Sequence, residues 1–311
     1  MNGWNRAFWL SALVAGMAGN ATAAGTEAQT PAAPATAAIH YATAPTQPAT
    51  PPAGALHALR VVSKEPVLDP GAKVWAQTQS VAVTLQPQNV TEPQNNQPAV
   101  TAMTVRSVHN GQWLSLLLEW EDPTQSDRVV VDRFGDQVAV ELPVRYRADA
   151  AVNPMMGAPG ERVNIIQWRA AFQADLARKR DMTIRDLYPY AQSDLYPDQV
   201  LNTLDMRAYM GAGGVDNPVA KHRDSPVLDQ VAEGFGTLTV KQHQEADGNG
   251  VWKDGAWHVV IAVPLAPDSA NSPRLEPGGQ TVAAFAVWEG GGKEVGARKS
   301  WSDWLPVALA K

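Results

Sequence analysis

The chain has 311 residues, 45% hydrophobic and 18% charged, enough for one large domain or two small ones. A formal net charge of -6 and a sequence pI near 5.5 offer no cationic surface for nucleic acid or an anionic membrane. The absence of cysteine excludes disulfides, zinc-thiolate centres, iron-sulfur ligation and the C-x-x-C-H attachment of a c-type haem.

Residues 1–24 read as a secretory signal peptide. Arg6 supplies the positive end, AFWLSALVAGMAG (7–19) is a short apolar run, and NATAAG ends in an A-x-A-like cleavage site at Ala23 or Ala24. The run is too short to span a bilayer, and no twin arginine precedes it. The mature chain is therefore expected in the periplasm, with no membrane span after cleavage. Residues 25–56 are built almost wholly from Ala, Pro and Thr, which cannot bury enough surface to offset ordering, so a flexible linker is expected there. The folded domain is expected over 57–311.

From there the pattern is short and β-rich. LRVVSK (59–64), SVAVTL (80–85), AMTVRSVH (102–109), WLSLLLEW (113–120), DQVAVELPV (136–144), VNIIQW (163–168), GTLTVKQH (236–243), WHVVIAVPL (257–265) and TVAAFAVW (281–288) alternate or run apolar over strand lengths. HNGQ (109–112) and KDGAW (253–257) each suit a type I′ hairpin. The spacing predicts a mainly β fold, an antiparallel immunoglobulin-like β-sandwich with a few short helices. The one helical stretch is AAFQADLARKRDMTIRDLY (170–188), read as one helix or an irregular excursion.

No H-E-x-x-H, G-x-S-x-G, Walker loop or G-x-G-x-x-G is present, and the six histidines show no metal-ligand spacing. DGNGVWKD (247–254) lacks an acidic or amide side chain at the fifth position of a calcium loop, so a hairpin turn is the expected role. The carboxylates of EWEDP (119–123) are expected in solvent at a strand end, with nothing to pair them for acid/base work. No independent catalytic site is expected. The Met pair at NPMMGAPG (153–160) is by itself more often packing than ligand.

The motifs VWAQTQSVAVTLQPQNVTEP (74–93), LLEWEDPT (117–124), DRFGDQVAVELPV (132–144), NPMMGAPGERVNIIQWRA (153–170), SPVLDQVAEGFGTLT (225–239), GNGVWKDGAWHVVIAVPL (248–265) and VAAFAVWEGGGKEVGARKSWSDWLPVAL (282–309), in this order, resemble a known family. It comprises the haem b-binding gamma subunits of periplasmic molybdoenzymes related to dimethyl sulfoxide reductase, such as ethylbenzene dehydrogenase, dimethyl sulfide dehydrogenase, selenate reductase and chlorate reductase. The resemblance implies one non-covalent haem b held between a methionine and a lysine. The methionine falls on Met156, with Met155 the alternative, and the lysine on Lys299, with Lys293 a poorer match in a loop that is shorter than the family pattern. It further implies a heterotrimer with an iron-sulfur beta subunit and a molybdenum bis-pterin alpha subunit, and a soluble cytochrome c or similar carrier as the external partner.

A thioether is a soft, neutral ligand that favours reduced iron. Lysine is harder to justify, because neutralising an ammonium at pH 7 from an ordinary pKa of about 10.4 costs roughly 4.6 kcal/mol. Burial lowers that cost by depressing the pKa. Arg162, Arg169 and Arg298 are candidates to meet haem propionates. The rival expectation, from the fold class and the tether, is a secreted carbohydrate-binding β-sandwich module with exposed Trp platforms.

Overall fold

Alternating apolar residues in the strands sort into two packed layers, one buried face of each turned to the other. The computed structural model describes residues 54–149, 152–180, 182, 184–190, 217–219 and 224–311. The expected signal peptide and the linker up to residue 53 lie outside these residues.

The first layer has strand order β10-β11-β5-β4, formed by Asp247–Lys253, Ala256–Pro264, Trp113–Glu121 and Ala102–His109, with β2 (Val81–Thr84) also pairing β4. The second has the order β12-β6-β7-β8-β9: Gln280–Trp288, Gln137–Pro143, Val163–Arg169, Val227–Ala232 and Thr239–Val240. Two short strands, β13 (Ser300–Trp301) and β3 (Gln86–Pro87), extend it beyond β12. All these pairings are antiparallel, as the sequence predicts. The exception joins the layers. Strand β1 (Leu56–Arg60) runs parallel to β14 (Leu305–Leu309) through Leu56–Ala58 and then parallel to β4 through Leu59 and Arg60. Pairing thus begins at Leu56, one residue before the expected domain start, and Leu56 is wholly buried.

Three tryptophans tie the layers together. Trp168 of β7 meets Trp257 of β11 edge-on at 4.8 Å, and Trp257 stacks on Trp120 of β5 at 6.4 Å. Each removes a large apolar surface from water, at roughly 25 cal/mol per Å² buried. Around them Leu116, Leu118, Val138, Ile166, Ile261 and Phe285 are buried to 3% exposure or less.

The structure corrects several sequence expectations. DGNGVWKD is not a turn: Asp247–Lys253 is β10, and its glycines let the strand lie against the opposite layer, because a Cβ at Gly250 would collide with the Trp168 ring. Of the two hairpins, Asp254 and Gly255 both take the positive φ of a type I′ turn (53° and 79°), whereas at HNGQ only Gly111 does. There Asn110 Oδ1 instead accepts the N–H groups of Gln112 and Trp113 and closes a three-residue loop. The stretch 170–188 divides into α1 (Ala170–Arg178) and α2 (Ile184–Leu187), because Lys179 turns left-handed (φ 57°) and ends α1. GTLTVKQH reduces to the two residues of β9.

Gly250→Ala is expected to overpack the Trp168 contact, since the indole is fixed by Trp257 and by its Nε1–H bond to Gln173 Oε1 at 3.2 Å. Equilibrium urea unfolding should show a loss of about 1–3 kcal/mol with an unchanged slope.

Candidate functional site

Strands β6, β7 and β12 are apolar on both faces. Val138, Val140, Leu142, Ile166, Trp168, Phe285 and Val287 point into the core, so the alternate residues point outward. Those outward residues are Ala139 and Glu141 of β6, Ile165 and Gln167 of β7, and Ala284, Ala286 and Trp288 of β12. In register, Ala139 lies opposite Ala286, and Glu141 opposite Ala284. The three alanines form a low, flat floor.

The alanine floor and Glu141 line a small cavity of about 50 Å³, and a larger one of about 690 Å³ adjoins it. That is ample for a cofactor. Met156, Ile165, Phe235, Trp288 and Lys299 line both parts. Met156 and Lys299, remote in sequence, are therefore brought to one chamber by two different loops.

The methionine loop is held rigidly. Met156 takes φ 67° and Gly157 φ 74°, and a Cβ at Gly157 would collide with the carbonyl of Glu161. A left-handed Met costs about 1–2 kcal/mol, so the surroundings must impose it. Asn153 Oδ1 accepts the Met155 N–H at 2.9 Å, the Asn153 carbonyl accepts the Gly157 N–H at 3.1 Å, and the Met156 carbonyl accepts the Gly234 N–H at 2.7 Å. The Met156 N–H faces the Glu141 carboxylate closely enough to favour its charged form, without closing a hydrogen bond. The half-buried Met156 side chain packs on Ile165 and Trp288.

Lys299 arrives from the segment before β13. Its Nζ stands 5.3 Å from the centroid of the Trp288 ring, and among the described residues it closes no hydrogen bond or ion pair. Burial holds the amine below the usual lysine range, opposed by the charge of Glu141. Glu141 is 9% exposed, and its Oε1 has no hydrogen-bond partner. Burial pushes its carboxyl up, against the pull of Lys299 and of the Met156 N–H. Both shifts favour the uncharged forms. A neutral amine retains the lone pair that an ammonium lacks, and with a thioether facing the same chamber the donor set suits a soft or borderline metal centre in an apolar cofactor.

Met155 lines only the smaller cavity. Lys293 is outside the chamber, in an exposed ion pair with Asp132 at 2.7 Å. Arg162 is occupied by Glu233 and Asn271. Arg169 lines the larger cavity and donates to Gln167 Oε1, whereas the Nε of Arg298 is buried without a partner. Glu141, Phe235 and the alanine floor were missed by sequence reasoning. The available signal was the apolar character of both faces of β6 and β7, which requires something to cover the outer face.

A family profile described as ethylbenzene dehydrogenase matches residues 72–300. The chain belongs to this family. The family resemblance read from the motifs is thereby borne out. A Haloferax mediterranei protein assigned as respiratory nitrate reductase heme subunit ORF7 is 22% identical over 255 residues, 81% of this chain and 72% of that one. The chlorate reductase subunit gamma of Ideonella dechloratans is 24% identical over 262 residues, 83% and 86% of the two chains. Among solved structures, a family 9 carbohydrate-binding module of Caldicellulosiruptor kristjanssonii in complex with glucose aligns over 82% of this chain and 96% of its own, at 10% identity and a TM-score of 0.37. That likeness is too distant to speak to function.

For this member of the ethylbenzene dehydrogenase family, the raised carboxyl of Glu141 means that the folded chain keeps a proton which the unfolded chain releases above the ordinary carboxylate range. The associated stability is whole below that range and is lost as pH rises through the folded-state value. Glu141→Gln cannot ionise. In cofactor-free protein its urea midpoint relative to wild type should therefore climb between about pH 5 and about pH 8; a pH-independent difference would contradict the burial argument.

Proposed function

We propose that the chain is a non-catalytic electron-transfer subunit that holds one non-covalent haem b, with Met156 and Lys299 as the axial ligands. The observation that carries this reading is the meeting of a thioether and a buried amine, free of any hydrogen bond or ion pair among the described residues, in the lining of the same two cavities. Family membership supports it, as do a relative named as a heme subunit and another named as a reductase gamma subunit.

Bound haem would supply a one-electron centre. The chain's own part is to position and to insulate. The left-handed Met156–Gly157 pair aims the sulfur, burial favours the neutral Lys299 amine, and buried Trp288 and Ile165 exclude water. With both ligands in place no coordination position remains for substrate. Lacking cysteine, the chain holds no iron-sulfur cluster of its own, so electrons must pass to other subunits. We assign these as an iron-sulfur beta subunit and a molybdenum bis-pterin alpha subunit in a periplasmic heterotrimer, with a soluble cytochrome c as external carrier. Exposed Val129, Phe235 and Leu238 at the cavity mouth provide an apolar contact for docking. Among the described residues no helix is long and apolar enough to cross a membrane.

Absorption spectra of the purified full chain test the ligands. Met156→Ala and Lys299→Ala should each abolish the low-spin haem spectrum, while Met155→Ala and Lys293→Ala keep it. An unchanged Lys299→Ala spectrum removes that residue from the site. Met156→His should retain a low-spin haem at a lower midpoint potential, because imidazole is the stronger donor and favours oxidised iron.

A further inference from the structure

Three carboxylates converge at one end of the sandwich, each at the end of a different strand. Asp122 follows β5, Asp136 precedes β6 and Glu289 follows β12. One oxygen from each lies within 4.8 Å of those of the other two. All three are buried, at 0%, 0% and 7% exposure, which overturns the expectation of solvation for Asp122 of EWEDP, while Glu121 is exposed as expected. No lysine, arginine or histidine pairs with any of them among the described residues.

The hydrogen bonds they accept come from neutral donors. Asp136 accepts the N–H groups of Ser126, Gly290 and the Trp257 indole at 2.7, 2.8 and 2.9 Å. Glu289 accepts the backbone N–H groups of Gly291 and Gly292 and the Thr124 hydroxyl. Asp122 Oδ1 accepts the Thr124 N–H at 3.0 Å and lies 3.3 Å from the Thr124 hydroxyl, whose one proton it shares with Glu289. The other oxygen, Asp122 Oδ2, is buried with no hydrogen-bond partner. The Trp120 indole acts on this carboxylate but does not reach hydrogen-bonding geometry, so both atoms stay unpartnered.

Three carboxylates without a counter-charge are not a stable interior arrangement. Asp122 Oδ2 accepts no hydrogen bond, and Asp136 Oδ1 and Glu289 Oε2 accept one each, so lone pairs remain on all three carboxylates for a cation. We propose that Asp122, Asp136 and Glu289 form a binding site for a divalent hard cation, calcium by preference. Oxygen-only ligation selects hard ions. Calcium accepts irregular carboxylate, carbonyl and hydroxyl sets, whereas magnesium demands a near-octahedral shell and keeps its water.

The site is separate from the proposed haem ligands yet structurally connected to their chamber. Asp136 lines the larger cavity, and Glu289 follows Trp288 and begins the loop that leads to Lys299. A cation there would pin the ends of β5, β6 and β12 and fix the base of that loop.

The test uses the full chain as purified, stripped with EDTA and titrated with calcium chloride. A single calcium equivalent should bind by calorimetry, and terbium should show emission sensitised by the adjacent indoles of Trp252 and Trp257. Asp122→Asn and Glu289→Gln should each weaken calcium affinity about 10-fold or more. Thermal melts give a readout that mere structural damage does not. In the stripped state Asp122→Asn removes repulsion and should melt above wild type; with saturating calcium the order should reverse. Absence of calcium binding and terbium emission in wild type, or melting curves that keep one order with and without calcium, would overturn the proposal. Should Asp122→Asn fail to fold, the wild-type titration and Glu289→Gln decide the same question.

Discussion

A sheet buried on both faces is the constraint on which the rest of this structure depends. β6, β7 and β12 give one set of side chains to the tryptophan-rich core and the alternate set to an outer surface that water would otherwise reach. Backbone pairing fixes this division, because a one-residue slip would exchange the two sets. The outer set is small along Ala139, Ala284 and Ala286, so it cannot fill its own space. Loops from distant parts of the chain close over it instead, and the volume left beneath them is the candidate site. The first layer is treated differently: Trp75 of the 3-10 helix at Lys73–Gln77 covers Val108, Leu117 and Val260, and the outer face there closes as plain packing.

Two sets of ionisable groups sit at the margins of this sheet, and burial acts on them in opposite ways. Lys299 and Glu141 are of opposite sign, yet burial pushes the amine down and the carboxyl up, each toward its uncharged form. The triad of Asp122, Asp136 and Glu289 has one sign only, so no member of it can balance another. Where interior charge is balanced conventionally, the difference is plain. Lys241 bonds Asp229 at 2.6 Å and Glu245 at 3.2 Å, a satisfied network that calls for no ligand.

Strands with strong periodicity were legible before any coordinates. Ala102–His109 matches its sequence-based bounds, and Trp113–Glu121, Val163–Arg169 and Gln280–Trp288 differ by a residue at one end. Weakly patterned strands were not legible. Gly248 and Gly250 read as a turn, yet both lie in a strand where a Cβ would meet Val227 and the Val260 carbonyl at Gly248 and the Trp168 ring at Gly250. β8 carries Asp229 and Gln230 buried at 2% and 3%, which no local apolar pattern announces, because partners from other strands satisfy them: Asn164 and Lys241 for the acid, Gln167 for the amide. The same limit hid Glu141, whose polarity suggests a solvated position and whose strand neighbours place it under Met156.

By itself the sequence determined the class of fold, the family, and the two residue types worth watching, since side-chain periodicity, turn chemistry and ordered motifs are properties of the chain read in one dimension. Only the tertiary structure decided that Met156 and Lys299 share a chamber while Lys293 does not, and that Asp122 is buried beside two other acids rather than solvated. Proximity and dielectric surroundings arise when strands distant in sequence pair and loops close over them. No stretch of residues, however well read, carries the desolvation that its remote neighbours will impose.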